Sequence, residues 1–462
     1  MAKLTFALYF GNRGIFPETL LAAARQEVSD AVKAAGHDVL MMDTQATRFG
    51  AVETVREGQV YAKFLKEHAG KYDGVILSLP NFGDENGAVT ALRDCGVPIL
   101  VQAYPDDIGK MDFAHRRDSF CGKLSITDVF YQYGLKYTVL PPHVCHPDSP
   151  AFAAQLLEFA AICRIVKAMR RFSIGAIGAR TTLFKTVRFD ELALQRAGIT
   201  CEALDLSDLF QRVRGADIAA VTQRVAELQA YADCTAVPGD KLETLAKTSV
   251  AIDTLIADYQ LDAVAVRCWP EIQTELGISV CLLMSWLNDH NMVASCEMDV
   301  ATGVAMRALA AAADGPSACL DWNNNYGDDP DKCILFHCGP IPQGMMEAHG
   351  SVQDNLMLSK GKEPNSAVGC NIGRITPAPI TYAGCKTDRG EIVFYLGEGR
   401  ITGEPIEQAF FGCAGVAYIP GLQQVMNTVC TQGFRHHVAA SFGTYGNAMR
   451  EALGNYLGYR MV

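Results

Sequence analysis

What this 462-residue sequence lacks narrows its class before any motif is considered. No window approaches the roughly 18 consecutive apolar residues that a bilayer-spanning helix requires. Positive charge is in deficit, with 40 Lys and Arg against 51 Asp and Glu, and the net charge of −11 offers no basic surface for neutralising nucleic-acid phosphates. The 16 cysteines contain no CxxC pair, so zinc-finger spacing is absent. A disulfide framework belongs to small secreted domains, not to a chain of this size. The cysteines therefore read as reduced thiols of a cytoplasmic protein. A dinucleotide fingerprint is missing too: "IGAIGAR" supplies only Gly175 and Gly178, without GxGxxG at a strand-to-helix turn. That speaks against a nucleotide-dependent dehydrogenase. The opening "LTFALYF" is stopped by Gly11, Asn12 and Arg13, too short for a secretory signal, and reads as a first β-strand.

What is present belongs to a folded protein, with 49% hydrophobic and 20% charged residues. At roughly 150 residues per domain, the length implies two or three domains. The first third alternates nearly continuous apolar runs ("KLTFALYFG", "HDVLMMD", "YDGVILSLP", "VPILVQAY") with helical patterns near 18–35, 53–69 and 86–95. Such alternation predicts a parallel sheet covered by helices on both faces. After a helix at 150–170 a second alternating block follows, with strands in "RFSIGAIGAR", "LDAVAVRCW" and "MVASC", a strand plus turn in "ITCEALDLSDL", and helices at 186–197, 216–230 and 240–259. From about 320 the texture becomes rich in Asn, Asp, Gly and Pro between short strands. "APITYAGCKTDRGEIVFYLGEGRIT" reads as an antiparallel hairpin turning at "DRGE". The expectation is an α/β protein: two Rossmann-like parallel-sheet domains, 1–170 and 171–338, followed by a mainly β C-terminal domain, 339–462.

Ligands of parallel sheets gather at the carboxyl ends of strands, which here carry "GNRG", "PNFGDEN" and "YPDD". In "RCWPEIQTE", Pro270 stops a buried strand and leaves Glu271 just past its carboxyl end, either as an active-site acid or as a first-turn helix residue favoured by the dipole. In "ASCEMDVATG", a continued strand would point Glu297 and Asp299 to the same side, a repulsive pair unless a cation or basic partner lies between them. The competing local role makes Asp299 the N-cap of a helix beginning near Val300. His436 and His437 are adjacent, so an extended segment would face them in opposite directions and let at most one reach a given metal. His337 ends the apolar run "ILFH" and is the other candidate ligand. The loop "HRRDSFCGK" is polar and cationic. With Arg13, its Arg116, Arg117 and Lys123 could meet an anionic sugar, because guanidinium forks match sulfonate or phosphate oxygens.

Taken in order, "LYFGNRG", "RRDSFCG", "RCWPE", "CEMDVATGVAM" and the late "HH" resemble the L-fucose isomerase and L-arabinose isomerase superfamily, in particular its shorter bacterial members. That resemblance implies a metal-dependent aldose–ketose isomerase using a divalent cation, usually Mn²⁺ in such enzymes, and assembling as a homotrimer or homohexamer. It implies metal ligands among Glu271, Glu297 or Asp299, and His436 or His437, with His337 as a further histidine. Glu271, Glu297 and Asp299 are then the catalytic acids, moving a proton between C2 and C1 through an enediol. Arg13, Arg117, Ser119 and Trp269 are the expected substrate contacts. The substrate class is a deoxy or modified pentose or hexose, or an anionic sulfo- or phospho-sugar, and no nucleic-acid or membrane partner is expected. The rival is a non-catalytic sugar-binding protein with two α/β lobes around a cleft.

Overall fold

The computed structural model describes residues 2–462. Its contacts divide the chain into two compact units, one running to Lys167 and including Glu451–Tyr456, the other comprising Ala168–Arg450 and Leu457–Val462.

In the N-terminal unit the apolar run "TFALYF" forms strand Thr5–Phe10, buried from Phe6 onward. It pairs in parallel with Asp38–Met41 on one side and Gly74–Leu79 on the other, and Ile99–Ala103 extends the sheet to four strands. Helices Leu20–Ala34, Val55–Glu67, Glu85–Leu92, Ser119–Gln132 and Pro150–Arg170 complete the alternation. Their starts follow local chemistry: Thr54 and Asp84 cap by accepting the backbone N–H of Glu57 and Gly87. The stretch expected as a polar loop at 115–123 becomes helical from Ser119. Lys123 is therefore buried, its Nζ donating to the His143 carbonyl at 2.8 Å.

The second unit holds another four-stranded parallel sheet, ordered Ile199–Leu204, Phe172–Ile177, Ala263–Val266, Val293–Cys296. The turn expected after Leu204 is instead helix Leu206–Arg214, nucleated by Asp205 accepting the Ser207 N–H at 2.7 Å. A nine-stranded sheet follows, with Cys413–Tyr418, Lys332–His337, Ala318–Asn325 and His437–Phe442 side by side near its middle. The expected hairpin is present as Pro379–Asp388 and Glu391–Ile401, turned by Arg389 and Gly390, both left-handed.

The large sheet begins at Ala318, ahead of position 339, and it lies in the same compact unit as the second parallel sheet. Helix Val300–Ala313 explains that union. It contacts strands of both sheets and is buried almost all round, as a helix without a polar face must be. Gly303 permits the close approach, since a Cβ there would meet Ile174 Cδ1 at 2.8 Å. One apolar cluster also mixes Val264, Val266 and Leu282 with Phe336, Val352 and Ala414. Among the described residues, no helix is long and apolar enough to cross a membrane.

Candidate active site

Strand Val293–Cys296 does not continue through the acidic pair. Glu297 and Met298 both adopt left-handed backbone, with φ of 60° and 58°, and Asp299 then opens the helix. Strand alternation therefore cannot set the directions of the two acids. A tight turn does so instead, stabilised by the Met298 N–H donating to the Val266 carbonyl at 2.9 Å. Asp299 is a cap as well as a member of the cluster: its Oδ1 accepts the Thr302 N–H at 3.1 Å and its Oδ2 the Thr302 hydroxyl at 2.7 Å.

The large sheet supplies the opposite wall. His437 starts its strand directly across from Asp321, and Asp321 is itself opposite Phe336, the residue before His337. His437 reaches both acids of the turn. Its Nδ1 lies 2.8 Å from Asp299 Oδ2 and its Nε2 2.9 Å from Glu297 Oε2. Asp321 Oδ1 is 3.6 Å from the same Nε2. Arg435 pairs with Asp299 from the other side. Trp269 donates its indole N–H to Glu297 Oε1 at 3.0 Å. The like charges expected to repel are thus bridged by one basic group, His437, while Arg435 offsets the charge of Asp299.

Burial raises the Asp299 pKa, but Arg435 and His437 outweigh it and hold the carboxyl far below the usual carboxylate range. Glu297 is likewise lowered, because His437, His337 and Trp269 overcome its desolvation. At His437 burial opposes protonation, while Cys319, Asp299 and Glu297 push the imidazole well above its ordinary value.

The two adjacent histidines do not face apart. A bend at His436 precedes the strand, so the rings lie 4.4 Å apart between centroids and both have a ligand atom within 4.8 Å of Glu297. His436 is nonetheless half-exposed, with Nε2 3.8 Å from Asp321 Oδ1. His337 is buried, its ring 5.8 Å from that of His437, and it groups with Cys319 and His437 at metal-ligand separation. The His337 Nδ1 accepts the Cys338 backbone N–H at 2.9 Å, which puts the proton of a neutral ring on Nε2.

Three buried atoms of these residues lack hydrogen-bond partners: Asp321 Oδ1, His337 Nε2 and His437 Nε2. The contact from His437 Nε2 to Glu297 is close but not aligned as a hydrogen bond. The Asp321 oxygen and the His437 nitrogen left in this state, with Glu297 Oε2 beside them, form a donor set that suits a divalent cation. Asp321 was not singled out in the sequence. The available signal was an acid inside the apolar strand run "ACLDW".

Glu271 stands apart from these contacts. It occupies the first turn of helix Glu271–Leu276, where Arg267 donates to its Oε1 at 2.5 Å while Oε2 is buried without a partner. Trp269, two residues earlier, joins Glu297 in lining a cavity of about 240 Å³ that Phe184, Ser279 and Met357 also border. Arg13, Arg117 and Ser119 lie in the N-terminal unit. There Arg13 pairs with Glu85 and donates to the Gly83 carbonyl at 2.7 Å. Arg117 donates to the Pro80 carbonyl at 3.0 Å and lies over the Tyr104 ring, and the buried Ser119 hydroxyl has no partner. Arg116 pairs with Asp118.

Two family models match this architecture: the N-terminal domain of fucose/sulfoquinovose isomerase over residues 7–170, and the C-terminal domain of L-fucose isomerase over residues 335–462. Together they cover more than half of the chain. The chain belongs to the fucose isomerase-like family. It is an aldose–ketose sugar isomerase. The isomerase is 24% identical to a sulfoquinovose isomerase of Priestia aryabhattai over 321 residues, 69% of each chain. It is 21% identical to one from Alkalicoccus urumqiensis over 392 residues, covering 84% of this chain and 85% of that one. Among solved structures, a periplasmic solute-binding protein of Actinobacillus succinogenes 130z with bound D-allose matches at a TM-score of 0.18 and 11% identity. That match covers 63% of this chain and 84% of the other, and a score so low carries no argument.

Proposed function

We propose that the isomerase interconverts a sulfonated aldose of the sulfoquinovose kind with its ketose, using a divalent cation held at Glu297, Asp321 and His437. The observation that carries the metal reading is the set of partnerless buried atoms around His437 Nε2. His437 has the form of a metal-ligating histidine: Nδ1–H donates to a buried carboxylate, Asp299, leaving Nε2 as the ligand atom. His436, within ligand range of Glu297 and His437, is a further candidate ligand. His337, with its proton on Nε2, serves better as a donor to a substrate oxygen than as a ligand.

A cation bound there supplies Lewis-acid polarisation of the sugar carbonyl and neighbouring hydroxyl. Glu297, kept ionised by its neighbours, accepts the C2 proton and returns it at C1 through an enediol. Asp299 orients His437 and is too strongly acidified to act as a proton donor near neutrality. Glu271, with one buried oxygen free of hydrogen bonds, is the second carboxylate of the proposal and would serve the opposite side of the reacting carbons. The sulfonated substrate is supported by the names of the relatives.

The test is direct. The purified protein, stripped with a chelator and reloaded with Mn²⁺, is given sulfoquinovose or L-fucose, and ketose formation is followed by NMR. Conversion of sulfoquinovose only in the reloaded sample is expected. Conversion that survives chelation overturns the metal reading, and preference for L-fucose overturns the substrate reading.

A further inference from the structure

Five cysteines from separate segments meet beside the active site. Cys268 follows strand Ala263–Val266 and Cys296 ends strand Val293–Cys296; their sulfurs are 3.1 Å apart. Cys281 opens helix Cys281–Asp289, and its sulfur is 3.4 Å from that of Cys338, which follows strand Lys332–His337. Cys370 comes from strand Val368–Arg374. Sulfurs of Cys281, Cys338 and Cys370 all lie within 4.8 Å of one another, and Cys296 lies within the same range of Cys338.

Cysteine often fills a core as a small apolar residue, and these five do belong to the buried apolar cluster. Packing alone needs only their volume, which Ala or Val would also supply. Two features go beyond volume. The sulfurs of Cys281, Cys338 and Cys370 converge although three separate segments deliver them. The cluster is also reachable, because Cys268, Cys281 and Cys338 line the same 240 Å³ cavity as Glu297. Thiolates select soft or borderline d¹⁰ cations, in contrast to the carboxylate-rich set around His437.

We propose that Cys281, Cys338 and Cys370 form a second cation site specific for a thiophilic metal such as Zn²⁺, with the Cys296 thiol adjoining it at Cys338. Each thiol releases its proton to solvent as it ligates, so the cation's charge offsets that of the thiolates in the buried core. Cys296 and Cys338 directly adjoin Glu297 and His337 in the chain. A metal on the thiols therefore ties the acidic turn to the end of the strand carrying His337.

The experiment uses the full-length protein, reduced, stripped of metal and then saturated with Mn²⁺, with Cd²⁺ as the probe. Cadmium is read by its ultraviolet thiolate-to-metal charge-transfer band and by bound-metal stoichiometry. The expected result is a band that saturates at about one equivalent and is lost in both Cys370→Ser and Cys281→Ser. Cys370→Ala keeps the core apolar and replaces Cys370→Ser if the hydroxyl prevents folding. No band in the wild-type protein, or a band that persists in both variants, overturns the proposal. The readout depends on thiolates, so its outcome is separable from that of the His437 site.

Discussion

His437 carries a carboxylate at each ring nitrogen, Asp299 Oδ2 at 2.8 Å from Nδ1 and Glu297 Oε2 at 2.9 Å from Nε2. The two acids are close in sequence but differ in environment. Asp299 is sealed in the core by Arg435, Thr302 and the histidine, whereas Glu297 lines the cavity. That asymmetry separates an orienting carboxylate from a reacting one.

Asp299→Asn is expected to weaken Mn²⁺ binding by about 10–100-fold, the usual cost of removing the partner of a ligating histidine. It also leaves the buried Arg435 without its counter-charge, which costs on the order of 3–5 kcal/mol. Calorimetric metal titration and thermal melting of the same variant check both effects. Wild-type affinity would remove Asp299 from its orienting role.

Glu297→Gln is expected to lower kcat by about 10²–10⁴-fold or more, since it removes a base as well as a ligand. Glu271→Gln should lower kcat similarly while leaving Mn²⁺ affinity near wild type, because Glu271 pairs with Arg267 and does not group with Glu297 and the histidines at ligand separation. Steady-state kinetics paired with metal titration distinguish the two. Full activity in Glu271→Gln would exclude it as the second carboxylate.

Mn²⁺ affinity should rise with pH. The His437 pKa is raised in the metal-free protein, so below that value a proton competes with the cation for Nε2. As pH rises through it, the competition disappears and the proton released on binding falls toward zero. Titrations in buffers of different ionisation enthalpy measure that proton. A pH-independent affinity would argue against Nε2 as the ligand atom.

Lys123 predicts a separate pH effect in the N-terminal unit. Burial lowers its pKa from 10.5 to about 8. Below pH 8 the lysine is charged in both folded and unfolded states, and the full burial penalty is present. Between pH 8 and 10.5 the folded state gives up its proton first, so the unfolded state binds more protons and stability increases with pH. The penalty is on the order of 3 kcal/mol. Lys123→Met should raise stability at neutral pH by a similar amount and flatten that slope in denaturant titrations. An unchanged slope would show that the lysine finds solvent.

Stretches whose structure depends on their own residues were readable in advance. The parallel strands announce themselves as apolar runs, and the hairpin by "DRGE" between alternating segments. The cap role of Asp299 follows from its position before a helical pattern. The direction of Glu297 was not readable, because left-handed backbone at Glu297 and Met298 replaces the strand alternation that would have set it. Nor could the sequence assign the histidines, since a bend at His436 lets neighbouring rings converge.

Asp321 shows where sequence reading ends. Its place in the cluster depends on pairing with His437, more than a hundred residues away, in a register that nothing local specifies. The same holds for the five thiols, scattered singly along the chain and joined where helix Val300–Ala313 and the shared apolar core bring the two sheets of the second unit together. Residue types and periodicity determined the α/β class and the pool of acids, histidines and thiols. Strand register and the packing of one sheet against the other decided which of them share a site, because contacts between distant segments depend on how the whole unit buries its apolar faces.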